Sequence, residues 1–252
     1  MGPKRGRVPD GRRHIGRKLS TGAVMFFSVV RLVILILPSA AQAASVGPDE
    51  IVRNMEAAWS KVEDYRMRVE VTTFAKDGSA SMEKFLYGFK KPGMIRLDFR
   101  EPHPGMTVIY PDKEGKVFVR PSGLLRLFTL HLSLESRLLA VSSGQRIDQT
   151  DMGLLIRNIA HSLTDSRSGP ISITEEGAII RVRVLAADHF LPGVRTLYHF
   201  FIDSRLWLPE RVEEATPSGK KKRVVAFFEV RTNTAIPDDF FRTDGAQEGS
   251  GG

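Results

Sequence analysis

Six histidines, His14, His103, His131, His161, His189 and His199, are the side chains best suited to proton transfer or metal binding near neutral pH. None falls at His-x-His, His-Glu-x-x-His or another ligand spacing, and the chain holds no Gly-x-Ser-x-Gly elbow, P-loop or Gly-x-Gly-x-x-Gly turn. Cysteine is absent, which removes thiolate nucleophiles, cysteine metal sites and disulfides. Asp98 and Asp112 are candidate carboxylates, but a strand-face charge and a turn aspartate need no catalytic role. His131 and His199 fall among apolar strand residues and read as solvated or structurally bonded imidazoles. The reading is therefore a protein without catalysis, to which no catalytic residue, metal or cofactor is assigned. An exported hydrolase assembled from scattered Asp and His residues is the rival.

The N-terminus bears on location and charge. Arg12, Arg13, Arg17 and Lys18 precede an apolar run from Ala23 to Leu37, Pro38 interrupts it, and Ala41-Gln42-Ala43 follows. Basic residues, a short apolar stretch and a small-residue triplet are the parts of a secretory signal peptide. The run, with Arg31 inside it, falls short of the roughly 20 apolar residues of a membrane span. Cleavage is expected after Ala43, and Met25 offers a second start. Of 37 Lys and Arg and 29 Asp and Glu, residues 1–43 hold eight and one, leaving 29 basic against 28 acidic residues. Nearly all of the overall charge of +8 thus belongs to the leader, and nucleic-acid binding loses its electrostatic basis. Residues 44–243 are expected to form a single domain and 244–252 a disordered tail.

The elements follow from periodicity. Ile51, Val52, Met55, Ala58, Trp59 and Val62 recur at helical spacing after Asp49 and Glu50, which predicts a helix over 51–63. From Arg66 the period becomes two: Met67, Val69 and Val71 share one face, then Phe85, Tyr87 and Phe89, then Ile95, Leu97 and Phe99. Lys76-Asp77-Gly78 and Lys91-Pro92-Gly93 mark turns. Short strands are expected at 106–110 and 116–120, and later ones at 171–174, 178–186, 195–202, 206–215 and 223–231. Phe128, Leu130, Leu132 and Leu134 alternate with polar residues, as a core strand or as the wall of an apolar cavity, while Leu124, Leu127 and Leu138 complicate the pattern and leave a local helix open. A second helix is expected at 151–163, capped by Asp151, with a stripe of Met152, Leu155, Ile156, Ile159 and Leu163; Gly153 in its first turn costs stability. About eleven strands with short turns and two helices predict a mainly β, α+β fold, a curled antiparallel sheet covered by helices.

These apolar faces could line a hydrocarbon site. The candidate lining is Met67, Val69, Val71, Phe85, Tyr87, Phe89, Ile95, Leu97, Phe99, Phe128, Leu130 and Leu132, under a lid bearing Met152, Leu155, Ile156 and Ile159. Burying about ten methylenes would contribute roughly 8 kcal/mol. The same pattern also describes a filled core.

Two segments carry a family resemblance. Phe89-Lys90-Lys91-Pro92-Gly93-Met94-Ile95-Arg96-Leu97-Asp98-Phe99 is one; Ile202-Asp203-Ser204-Arg205-Leu206-Trp207-Leu208-Pro209-Glu210-Arg211-Val212 with Ile236-Pro237-Asp238-Asp239-Phe240-Phe241 is the other. With the order of elements, they resemble the LolA/LolB-type outer-membrane lipoprotein carriers over about 49–242. Glu114-Gly115-Lys116-Val117-Phe118 keeps part of a further family segment, and 124–165 departs most, closer to an uncharacterised periplasmic branch of that fold. The resemblance implies an unclosed half-barrel in the periplasm, enclosing lipoprotein acyl chains or other lipids, monomeric, and working with inner- and outer-membrane transport components. It also implies a lid latch at the residue before the Pro, where Lys91 stands without the planar fork of arginine. A cell-envelope sensor of the same fold is the alternative.

Overall fold

Pro48, Asp49 and Glu50 open the first helix, α1 (Pro48–Ser60), where proline lacks only an orphan N–H and the carboxylates face the positive end of the dipole. Its stripe buries Ile51 and Met55, and the chain leaves it one turn earlier than periodicity suggests: the Lys61 and Val62 N–H groups close on Ala58 and Trp59, and Val62 is buried from the following turn. The computed structural model describes residues 46–136 and 146–242; the expected leader, its expected cleavage site and the expected disordered tail lie outside them.

Eleven antiparallel strands make one sheet: β1 (Asp64–Phe74), β2 (Ala80–Lys90), β3 (Met94–Glu101), β4 (Thr107–Tyr110), β5 (Val117–Arg120), β6 (Leu130–Leu132), β7 (Ser172–Glu176), β8 (Ile179–Ala187), β9 (Arg195–Asp203), β10 (Leu208–Ala215) and β11 (Lys221–Thr232). Their order is β6-β5-β4-β3-β2-β1-β11-β10-β9-β8-β7, so two meanders join where the first strand pairs the last, Tyr65 opposite Thr232 and Val71 opposite Val225. The sheet does not close: β6 and β7 are its free edges. Register slips at Arg66/Arg68, Lys84/Phe85, Pro209/Arg211 and Glu214/Ala215 add the local twist that curls such a sheet. The second helix, α2 (Met152–Thr164), lies in the connection from one edge to the other; the Leu154 N–H donates to Asp151 Oδ1 at 2.9 Å, the expected cap. Since every pair is antiparallel, connections alternate between two ends. Loops 75–79, 102–106, 121–129, 188–194 and 216–220 share one end, and 91–93, 111–116, 177–178 and 204–207 the other.

Tyr65, Met67 and Val69, then Tyr87 and Phe89, then Ile95 and Leu97, are buried on the concave face with Tyr198, Phe200 and Ile202 of β9, under both helices. The outer face also hides an aromatic. Phe201 is covered by the guanidinium groups of Arg181 and Arg211, 5.3 and 4.0 Å from its ring centre. The segment after β5 corrects an expectation. Only Leu130–Leu132 is strand, a 3-10 turn spans Gly123–Leu127, and Phe128 and Leu130 are exposed. The core ends between Leu132, which packs against it with Leu134, and Leu130, so the leucine face runs off its margin.

Candidate functional site

A cavity of about 120 Å³ lies between the concave face and α2. Met67, Val69 and Val71 of β1, Phe85 and Tyr87 of β2 and Leu97 of β3 form one wall; Val212, Val225 and Phe227 of β10 and β11 form the other. Leu155 and Asn158 of α2 close it. Six of the strand residues singled out from sequence therefore meet here. Phe89 and Ile95 are instead buried, Phe89 against Trp59, and line a separate space beside Trp59, Lys91 and Tyr110; Phe99 packs tilted against Phe85 with ring centres 5.1 Å apart. Phe128, Leu130 and Leu132 are not in the wall. Of the α2 stripe, Leu155 faces the space, while Met152, Ile156 and Ile159 are buried in the core.

Polar groups tether α2 at both ends. The Met152 N–H donates to the Tyr65 hydroxyl at 3.0 Å. Thr150 spends its own hydroxyl proton on the Ile147 carbonyl at 2.7 Å, so the Tyr87 hydroxyl, 3.1 Å away, donates to it. Burial raises the pKa of both tyrosines, which keeps them neutral. Near the helix C-terminus, Ser162 Oγ lies 2.8 Å from His189 Nε2. His189 stacks on Tyr198 with ring centres 4.3 Å apart, and burial lowers its pKa to about 4. Ser162 is 1% exposed and absent from the cavity wall, so the pair ties helix to loop and presents no nucleophile. The loop is held by Asp188. Burial opposes its ionisation, but bonds from Thr196 at 2.6 Å, Lys222 at 2.9 Å and two backbone N–H groups outweigh this and bring its pKa to about 2.

One charged pair faces the cavity: Arg223 Nη2 lies 2.6 Å from Glu214 Oε1, both side chains nearly buried. Lys91 reaches α1, not α2. Its ammonium sits 3.5 Å from the Trp59 and Ser60 carbonyls and 5.3 Å from the Trp59 ring centre. His131 is bonded, Nδ1 to Asp112 Oδ2 at 2.6 Å, and Asp98 accepts from Arg96 and Thr107; both candidate carboxylates are thus engaged structurally. Among the described residues, no three His, Cys, Asp or Glu side chains are placed to hold a metal ion.

Comparison with known proteins adds little to this geometry. No family model and no curated protein matches the chain. Solved structures do. A DUF1329 family protein from Desulfovibrio piger aligns over 79% of this chain and 98% of its own, at 9% identity and a TM-score of 0.46. A LolA superfamily protein from Nitrosomonas europaea aligns over 79% and 99%, at 14% identity and a TM-score of 0.36. A MucA/MucB complex from Pseudomonas aeruginosa aligns over 77% and 60%, at 12% identity and a TM-score of 0.42. The architecture rests on the strand register.

Sequence reasoning missed the half of the wall from β10 and β11, and it missed His189, Glu214 and Arg223. The alternation of Val225 and Phe227 was visible, but nothing local tells that β11 pairs with β1 and brings them opposite Val71 and Val69.

Proposed function

We propose that the chain is a non-catalytic carrier or chaperone that holds lipoprotein acyl chains or related lipids in the space between the half-barrel and α2, in the periplasm. The observation that carries this is the largely apolar cavity beneath a helix tied at both ends by polar bonds. The leader-like N-terminal residues support export. At about 120 Å³ the partly open space would take little more than a ring-sized group, since a 150 Å³ cavity holds benzene and ligand pockets commonly measure about 300–1,000 Å³. An acyl chain needs more room than this; lifting α2 would part the Tyr65, Tyr87 and His189 bonds and uncover Met152, Ile156, Ile159 and Leu163, which are buried beneath it. Membrane transport components would load and unload the cargo, and the carrier would act as a monomer.

Native mass spectrometry of the purified protein with extraction of bound lipid, alongside titration with a fluorescent fatty acid, tests this. Bound lipid or saturable uptake is expected, weakened by replacing Val69 with aspartate in a variant that still melts cooperatively. No bound lipid together with no uptake would overturn it.

A further inference from the structure

The β5–β6 connection is built against the usual rules for a hairpin. Such loops are commonly two to five residues and polar. Here residues 121–129 carry Leu124, Leu125, Leu127 and Phe128, which are 94, 60, 85 and 63% exposed. In a 3-10 turn, side chains three apart eclipse, so Leu124 aligns with Leu127 over Gly123–Leu127. The result is a convex apolar knob, not a groove. The same end of the half-barrel exposes Leu191 and Val194 in loop 188–194.

Charge decides what such a knob meets. No acidic residue occurs from Val117 to Leu134, while Arg120 and Arg126 do. At the same end the turn after β10 leads into Lys220 and Lys221, exposed, and Lys220 Nζ reaches the Lys76 carbonyl of the β1–β2 turn. The acidic residues of these five loops are Asp77 and Asp188, and Asp188 is consumed by Lys222. Apolar side chains framed by basic ones are the composition of a segment that sinks into the headgroup region of an anionic membrane. The cavity residues Val71, Phe85 and Arg223 also lie toward this end.

We propose that this end of the half-barrel docks on an anionic phospholipid bilayer, with Leu124, Leu125, Leu127 and Phe128 inserted among the acyl chains. The docking is separate from cavity occupancy and stands or falls without it.

The chain has no cysteine, so Leu127→Cys in the full chain can carry a single polarity-sensitive dye. Leu206→Cys, half-exposed in the turn at the opposite end, is the control. The readout is local, so the apolar run from Ala23 to Leu37 elsewhere in the chain does not produce it. With vesicles of phosphatidylglycerol and phosphatidylcholine, the dye at 127 should shift to the blue and be quenched by spin-labelled lipid, with little response on phosphatidylcholine alone and none at 206. Adding Leu124→Ser and Phe128→Ser should weaken partitioning by about a hundredfold, and the high exposure of both positions leaves folding, checked by thermal melting, unaffected. No shift at 127, an equal shift at 206, an equal response on phosphatidylcholine, or partitioning indifferent to the serine changes would each overturn the proposal. A shift that grows with protein concentration without vesicles would also overturn it, assigning the knob to a second copy of the chain.

Discussion

Gly153→Ala should loosen α2, although it replaces a poor helix former with the best one. A Cβ at Gly153 would lie 2.5 Å from Trp59 Cε2 and Nε1 and 2.7 Å from Cζ2. Carbon contacts relax near 3.5–4.0 Å, so helix or indole must move by about 1 Å. The indole has little room. It packs edge-on to Tyr65 with centroids 6.0 Å apart, lies 5.8 Å from Phe89, and has the Lys91 ammonium over it. Overpacking of this kind costs roughly 1–3 kcal/mol, and the propensity gain returns at most about 1 kcal/mol. A net loss of about 1–2 kcal/mol should lower Tm by roughly 2–8 °C in a domain of this size. Calorimetry of Gly153→Ala, Trp59→Leu and the double variant gives the coupling. The double variant should be more stable than the sum of the single losses predicts, by at least about 1 kcal/mol. Because α2 also roofs the cavity, uptake of a fluorescent fatty acid should quicken in Gly153→Ala. A Tm equal to or above that of the parent, or purely additive losses, would refute the reasoning that Gly153 exists to let the helices touch.

Stability should also fall in acid through His189. Its folded pKa of about 4 lies below the ordinary 6.5, so the unfolded chain binds the extra proton first and stability declines as pH drops from about 6.5 to 4. That decline is worth up to about 3 kcal/mol, and Asp188, with its folded pKa near 2, adds a further loss only below about 4. Urea unfolding at pH 7 and pH 4.5 should show the drop in the parent and a smaller one in His189→Gln; equal slopes would remove His189 from the account. Asp64→Asn should free the C-terminal segment. The buried carboxylate accepts the Thr234 N–H at 2.8 Å, its hydroxyl at 3.0 Å and the Ile236 N–H at 3.2 Å, and an amide nitrogen in place of an oxygen leaves donor facing donor, at roughly 1–3 kcal/mol. Hydrogen exchange should then lose protection over 234–241, and unchanged protection would contradict the assigned bonds.

Much of the scaffold was legible from neighbouring residues alone. Met67, Val69 and Val71 alternate because one strand face is apolar, Asp151 caps because its oxygen reaches a near N–H, and Gly78 turns with φ of +91°. Gly153 was visible only as a cost, because the indole that requires it lies on another helix. Phe128 and Leu130 carry the same periodicity as a core strand, yet they extend past the margin of the core, which periodicity cannot locate.

The sequence by itself determined the charge balance, the absence of cysteine, the order of strands and helices, and which side chains share a face. These depend on composition and on steric and hydrogen-bonding preferences within a few residues. Only the tertiary structure decided that β1 pairs β11, that α2 crosses between two free edges, that Val69 lines the cavity under α2 while Phe89 packs against Trp59, and that His189 meets Ser162. Such contacts join residues far apart in the chain, and their energy depends on register and packing that no local pattern records.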